Sequence, residues 1–232
     1  MRHSLIIILF WIVNTAVFAA GPVTHVVLAQ KWMEHRENFN EEEKRAFILG
    51  NLFPDIRYLR VITRAETHEK GLTLEKIQAS ETSFIKGMRL HAWIDVTRER
   101  LIRKWGIYQK IKDQVEKKHM ATFLKLVEDE ILFQERSWIS VRHYLTLIHP
   151  EEREFRISEE NLRKWHQYQT LAFTLPPSLY LLGTFKRGYG NAPPEIIDQW
   201  ITEIPKFAND DTMKEYVHNL VEEFDKLFSE AN

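Results

Sequence analysis

His91 and Asp95 carry metal-ligating side chains and lie four residues apart in an apolar stretch with helical periodicity. Positions i and i+4 lie on one face of an α-helix, so an imidazole and a carboxylate can reach a common point. Nitrogen and oxygen ligands of this kind suit a divalent metal such as zinc. The same spacing also occurs in hydrogen-bonded pairs on ordinary helices, so the pair alone leaves both interpretations open.

Three further candidate ligands lie next to predicted helix boundaries. His25 lies in the first turn of a predicted helix, Asp55 directly follows the helix-ending Pro54, and His68 lies in a polar stretch. A hydrolytic metal site needs several nitrogen and oxygen ligands from rigid elements, together with an open coordination position for water. These residues therefore strengthen the metal interpretation of His91 and Asp95.

The elements that must position these residues are helices. Glycine and proline are few, eight of each, and apolar residues recur at helical spacing along the chain. Thr24 is the predicted N-cap of the first helix, and Asn40 with Glu43 forms a predicted capping box. We expect the segment after Pro54 to be irregular and Gly106 to interrupt the helical pattern. The sequence thus predicts an all-α fold with a single multi-helix domain over residues 20–232.

Charge and cysteine content exclude several function classes. The chain has 32 basic and 33 acidic residues, so it lacks the basic excess that attracts duplex nucleic acid. It contains no cysteine, which excludes thiolate zinc fingers and cysteine nucleophiles. Any metal site must therefore use histidine, aspartate and glutamate.

Residues 1–19 have the pattern of a signal peptide. A short basic segment precedes the apolar run from Leu5 to Phe18, and Ala19 offers a small residue for cleavage. Removal of residues 1–19 would leave Ala20 as the N-terminus and predicts an exported protein, either secreted or periplasmic. An uncleaved membrane anchor stays open as the alternative.

Four motifs follow one another in the N-terminal half of the chain: Gly21-x-x-Thr24-His25, Phe53-Pro54-Asp55, Thr67-His68 and Phe84-x-x-Gly87-x-x-x-His91-x-x-x-Asp95. In this order they resemble the motifs of the zinc-dependent phospholipase C family. That family includes the N-terminal domain of glycosylphosphatidylinositol-specific phospholipase D and is structurally related to the S1/P1 nucleases. The resemblance covers residues 21–99, under half of the mature chain.

The resemblance implies a helical fold of the phospholipase C/P1 nuclease type that binds up to three zinc ions. The residues that match the family's first metal site are Asp55, His68, His91 and Asp95. A second metal would use His25, the bridging Asp95 and the backbone of the mature N-terminal residue, here Ala20. Only a free amine can coordinate a metal, so signal-peptide cleavage would create this ligand.

The third metal site is where this chain departs from the family. Glu99 occupies a position at which the phospholipase D-like pattern has histidine, and no later His-x-x-x-Glu or His-x-x-x-Asp pair follows. Glu99, His143, Glu128 and Asp129 are the candidate replacement ligands. We prefer to interpret the run from Glu128 to Glu130 as a solvated helix face.

The implied activity is hydrolysis of phospholipid head-group phosphodiesters by a metal-bound hydroxide. Asp55 would ligate the metal and orient the water or accept its proton as a catalytic residue. The expected partner is a phospholipid or another phosphate ester, and contact with a membrane surface stays open. Two alternatives remain: a non-catalytic exported zinc-binding protein with a degenerate third site, and an S1/P1-type nuclease acting on single strands.

Overall fold

The computed structural model describes residues 20–36, 39–184 and 193–231. The predicted signal peptide, residues 1–19, lies outside the described residues. Within them the chain forms one all-α domain without a strand, as predicted. Its elements are α1 (Pro22–Glu34), α2 (Glu41–Leu52), a 3₁₀ helix (Phe53–Leu59), α3 (Arg64–Thr67), α4 (Leu74–Gln78), α5 (Ser83–Lys104), α6 (Tyr108–Ile111), α7 (Met120–Gln134), α8 (Ile139–Tyr144), α9 (Pro150–Glu154), α10 (Glu159–Ala172), α11 (Pro177–Thr184), α12 (Pro194–Asn209) and α13 (Asp211–Glu230).

Helix α1 lies at the centre of the fold. All residues from Val23 to Ala29 are buried, and helices α2, α5, α7 and α13 pack around it. Two of these buried residues, Thr24 and His25, are polar. Because buried polar groups are costly without partners, each of these side chains needs a partner inside the fold, either another protein group or a bound ligand.

Helix α1 begins earlier than predicted, and Thr24 is not its N-cap. Gly21 is the N-cap, and Pro22 is the first helical residue. Proline suits this position because its fixed φ is already helical and its missing N–H would have no partner there. Thr24 therefore lies inside the first turn, where its hydroxyl donates a hydrogen bond to Asp129 at 2.7 Å.

Helices α2 and α5 cross at close range through two glycines. A Cβ atom on Gly87 would lie 2.1 Å from a backbone carbonyl oxygen of α2, and one on Gly50 would lie 2.0 Å from a backbone carbonyl oxygen of α5. Only glycine permits backbones to approach so closely. The crossing brings the end of α2 next to the metal-ligand candidates of α5.

The segment around Pro54 is more regular than predicted. Helix α2 ends at Leu52, as expected before a proline, and its predicted Asn40–Glu43 capping box is present. The chain then continues as the 3₁₀ helix instead of an irregular segment. Shorter i→i+3 hydrogen bonds commonly tighten the chain at a helix end. Asp55 therefore lies on a regular helical element.

No helix in the described part of the chain is long and apolar enough to cross a bilayer.

Candidate metal centre

Helices α1 and α5 bring His25, His91 and Asp95 together in the core. One ligating atom from each lies within 4.8 Å of the others, and all three residues are buried. The His25 and His91 rings stack with centroids 3.7 Å apart and planes 10° from parallel. A buried group of two imidazoles and a carboxylate can hold a metal ion.

The two oxygens of Asp95 face different sets of nitrogen atoms. Oδ1 accepts a hydrogen bond from the backbone N–H of Ala20 at 3.0 Å and lies 3.3 Å from His25 Nε2. Oδ2 lies 3.3 Å from His68 Nε2 and 3.7 Å from His91 Nε2. Ligands about 2.0 Å from a tetrahedral zinc ion are about 3.3 Å apart, so these separations suit coordination.

The backbone of α2 fixes the orientation of the His91 ring. His91 Nδ1 lies 2.8 Å from the Asn51 carbonyl oxygen, to which it donates a hydrogen bond. This bond places the lone pair on Nε2, which faces the centre. Metal-ligating histidines commonly have such a supporting bond on the other ring nitrogen.

Buried nitrogen atoms without hydrogen-bond partners test whether the site fits a metal. Nε2 of His91 and both ring nitrogens of His25 are buried and make no hydrogen bond within the described residues. Buried polar atoms rarely lack a partner, and a bound cation would give these lone pairs one. The residues present therefore fit a metal ion.

The protonation states of His91 and Asp95 also suit a metal. Burial lowers the pKa of His91 well below its usual value, which favours the neutral ring. Burial alone would raise the pKa of Asp95, but the nearby rings of His91, His25 and His68 outweigh it and hold the pKa well below the usual range. Metal ligation requires neutral imidazole and ionised carboxylate.

Two arginines reach the carboxylates of the centre. Asp55 Oδ1 lies 3.9 Å from His91 Nε2 and forms an ion pair with Arg57 at 2.8 Å. Arg64 Nη2 lies 3.2 Å from Asp95 Oδ2, and the Arg64 side chain is 44% exposed. Asp55 and His68 therefore lie beside the buried group, and each of the two acids also contacts an arginine.

Asp129 supports the start of α1 behind the centre. Its Oδ1 accepts hydrogen bonds from the backbone N–H and the hydroxyl of Thr24, at 2.8 and 2.7 Å, and its Oδ2 accepts one from Val23 N–H at 3.2 Å. A Cβ atom on Gly21 would lie 2.2 Å from Oδ2, so the carboxylate packs directly against the backbone. Asp129 thus positions Ala20 and His25 and makes no contact of its own with Asp95.

The interpretation of residues Glu128 to Glu130 as a solvated face is wrong. All three acids are buried. Glu128 pairs with Arg98 at 2.7 Å and accepts a hydrogen bond from Tyr216, while Glu130 accepts two hydrogen bonds from Ser178 at 2.8 Å. Helix α7 packs against α1, α11, α12 and α13, so its acids point at helix starts and at one arginine. The run is flanked by the apolar residues Val127 and Ile131, and these neighbours are the sequence feature that indicates a buried stretch of helix.

The structure does not bring Glu99 or His143 into the metal group. The Glu99 carboxylate accepts a hydrogen bond from Tyr108 at 2.7 Å and pairs with Arg103 at 2.6 Å. His143 is exposed on α8. Glu99 lies one turn beyond Asp95, where partners from its own helix and from α6 hold it.

Sequence reasoning missed several residues that surround the centre. Asn51 orients His91, and Arg57 and Arg64 contact the acids. Lys125 of α7 lies beside the Tyr58 ring, close enough to Asp55 for their charges to interact. Arg57 follows Asp55 by two positions and Arg64 precedes His68 by four, which was the only local signal. Nothing in the sequence connects Lys125 with Asp55.

Comparison of the chain with protein-family models, curated proteins and solved structures gave no match.

Proposed function

We propose that the protein is an exported zinc-dependent hydrolase of phosphate esters, similar to phospholipase C. The observation that carries the proposal is the Asp95 carboxylate, whose two oxygens face His25 and Ala20 on one side and His68 and His91 on the other. A carboxylate with nitrogen atoms on both sides suits a bridge between two metal ions, and paired metals are typical of phosphate-ester hydrolysis.

The chain offers ligands for two zinc ions. Asp55, His68, His91 and Asp95 would hold the first, while His25, Asp95 and the backbone of Ala20 would hold the second. Zinc, when bound, lowers the pKa of a coordinated water and polarises a phosphate oxygen.

Asp55 is the proposed catalytic base. It lies on the 3₁₀ helix at the edge of the centre, with His91 Nε2 3.9 Å from its Oδ1. From this place its carboxylate would orient the attacking water and accept its proton. Arg57, bound to the same oxygen at 2.8 Å, holds the carboxylate in position.

Removal of residues 1–19 would complete the second ligand set. The nitrogen of Ala20 lies 3.0 Å from Asp95 Oδ1, but in the uncut chain it is an amide without a free lone pair. Cleavage after Ala19 would convert it into an amine that can coordinate a metal. Export and metal loading would then be coupled.

One observation favours a non-catalytic zinc-binding protein as the second candidate. The acids considered for a third metal site each have another partner. Glu99 accepts a hydrogen bond from Tyr108, Glu128 forms an ion pair with Arg98, and Asp129 accepts a hydrogen bond from Thr24. A centre with two metals and no third ion would bind zinc but stabilise the leaving group less.

The test uses the mature chain, residues 20–232. Elemental analysis should find at least one zinc per chain, and a chromogenic phosphodiester should be hydrolysed until a chelator is added. Asp55→Asn should retain zinc through the remaining ligands and lower turnover by about a hundredfold, the usual scale for a lost general base.

The controls separate the two candidate functions. His91→Ala combined with Asp95→Ala should abolish zinc binding, while His143→Ala, on the exposed face of α8, should leave zinc and turnover unchanged. Bound zinc without any turnover would support the non-catalytic protein. A mature protein without zinc would contradict both.

A further inference from the structure

Lys125 is a half-buried cation on α7 that no neighbouring acid neutralises at close range. It lies one helical turn before Asp129, on the face of α7 that meets the start of α1. No hydrogen bond within 3.5 Å and no ion pair within 4.0 Å joins its ammonium group to any residue in the described ranges. Its ammonium instead lies 5.4 Å from the centre of the Tyr58 ring.

Tyr58 connects Lys125 with the metal centre. The Arg57 guanidinium lies 4.3 Å from the centre of the same ring and donates hydrogen bonds to the Tyr58 hydroxyl at 3.2 Å and to Asp55 at 2.8 Å. Asp55 in turn lies 3.9 Å from His91 Nε2. Lys125 and Arg57 are thus two cations beside one ring at the edge of the site.

The two cations differ in how their charge is balanced. Arg57 forms an ion pair with Asp55, whereas Lys125 has no acid within ion-pair distance. Burial lowers the pKa of Lys125, and Arg57 and Arg98 act in the same direction against Asp55 and Asp129. A partly desolvated ammonium without a hydrogen-bond or anionic partner is costly, and an anionic oxygen would remove that cost through a charge-assisted hydrogen bond.

We propose that Lys125 is a substrate-binding residue whose ammonium contacts a phosphate oxygen of the ligand at the His25–His91–Asp95 centre. The ligand class is a tetrahedral phosphate group, either of a lipid head group or of a water-soluble ester. Lysine is a compact point charge that suits phosphate. This inference rests on the proposed function and adds a residue that none of the metal-ligand motifs contains.

The test measures phosphate binding and metal content separately. Zinc-loaded mature protein is titrated with inorganic phosphate in a calorimeter, and zinc is counted by elemental analysis. Lys125→Met should weaken phosphate binding by about tenfold or more, the scale of one lost charge-assisted hydrogen bond. Its zinc content should equal that of the wild type.

Two variants control for folding and for net charge. Lys125→Arg keeps the cation and should bind phosphate within about threefold of the wild type, since a guanidinium can also donate to phosphate. Lys117→Met makes the same change at an exposed lysine just before α7 and should bind like the wild type. Unchanged phosphate affinity in Lys125→Met, with unchanged zinc, would overturn the inference.

Failure of the proposed function would look different. A wild type without zinc, or with zinc but no turnover, contradicts the hydrolase, and the phosphate titration is then repeated on that protein. Weaker phosphate binding in Lys125→Met than in the wild type would still support an anion site at Lys125. Equal phosphate binding in the two proteins would overturn the inference.

Sedimentation with phosphatidylcholine vesicles identifies the source of the phosphate. Pelleting that depends on Lys125 and is reversed by inorganic phosphate supports a lipid head group. Phosphate binding that depends on Lys125, without pelleting, supports a soluble ester.

Discussion

Asp129 holds the start of α1 through hydrogen bonds from Val23 and Thr24, although its carboxylate is fully buried. Burial raises the pKa of Asp129 to about 6, against the opposing effect of these hydrogen bonds. An acid whose pKa is raised on folding binds its proton more tightly in the folded state. Its contribution to stability is therefore complete below about pH 4 and is lost as the pH rises through about 6.

We predict that Asp129→Asn removes this pH dependence. The free energy of unfolding of the wild type minus that of the variant should fall by about 2–3 kcal/mol between pH 4 and pH 7, because folding raises the pKa of Asp129 from its ordinary value of 3.8 to about 6. The measurement is urea unfolding at several pH values in the presence of chelator, so that metal binding does not contribute. The exposed Asp113→Asn is the matched control. A difference that stays constant with pH would contradict the prediction.

The convergence of His91 and Asp95 could be predicted from the sequence, but the contacts that support the candidate metal centre could not. His91 and Asp95 lie one helical turn apart in a local pattern, so their convergence follows from helix geometry. The contact between Asp129 and Thr24 joins residues 105 positions apart, and no local pattern specifies which surface α7 presents to α1. For the same reason Lys125 could not be connected with Asp55 from the sequence alone.

At the scale of elements, the crossing of α2 and α5 determines where His91 points. Gly87 brings the backbone of α2 against α5, and the Asn51 carbonyl at the end of α2 then accepts the His91 Nδ1 hydrogen bond at 2.8 Å. The Asn51 side chain also donates to the Gly87 carbonyl at 3.2 Å. Separation of the two helices would therefore lower stability and disturb the orientation of His91, a candidate metal ligand.

We predict that Gly87→Ala destabilises the protein and weakens zinc binding. Alanine gains roughly 1 kcal/mol of helix propensity over glycine, but its Cβ would lie 2.1 Å from a backbone oxygen that can move only with the helix. Such overpacking costs about 1–3 kcal/mol or more, so a net loss is expected in denaturant unfolding. Zinc affinity, measured by competition with a chromogenic chelator, should fall with it.

Gly106→Ala separates stability from metal affinity. Gly106 has a φ of 67° and open space around its Cβ position, so alanine there costs stability through backbone strain without moving α2. Its zinc affinity should match that of the wild type. Equal zinc affinity in Gly87→Ala and Gly106→Ala would show that the crossing does not control His91.

Helix boundaries were predictable where a cap is encoded locally. The Asn40–Glu43 capping box and the end of α2 before Pro54 are present as expected. The predicted N-cap of α1 was wrong: Gly21 is the N-cap, and the Thr24 hydroxyl instead donates a hydrogen bond to the distant Asp129. A local capping pattern is misleading where, as at Thr24, a tertiary contact uses the side chain that would otherwise cap the helix.

At the scale of the whole molecule, the candidate metal centre joins parts of the fold that are distant in sequence. Its candidate ligands come from the start of α1, the 3₁₀ helix, the end of α3 and the middle of α5. Arg98 on α5 forms an ion pair with Glu128 of α7, which also accepts a hydrogen bond from Tyr216 of α13. The site therefore forms only when most of the helices are in place, and we expect metal binding to be coupled to global folding.

This coupling predicts that zinc raises the stability of the whole domain. With free zinc at about a thousand times its Kd, the free energy of unfolding should rise by about 4 kcal/mol, less any affinity of the ten histidines for zinc in the unfolded chain. For a chain of this length that corresponds to a rise in Tm of roughly 8–16 °C by calorimetry. His91→Ala combined with Asp95→Ala should lose the rise, while His143→Ala should keep it in full. An unchanged Tm despite bound zinc would mean that the metal binds outside the core, because a ligand held between α1 and α5 cannot remain bound when those helices separate.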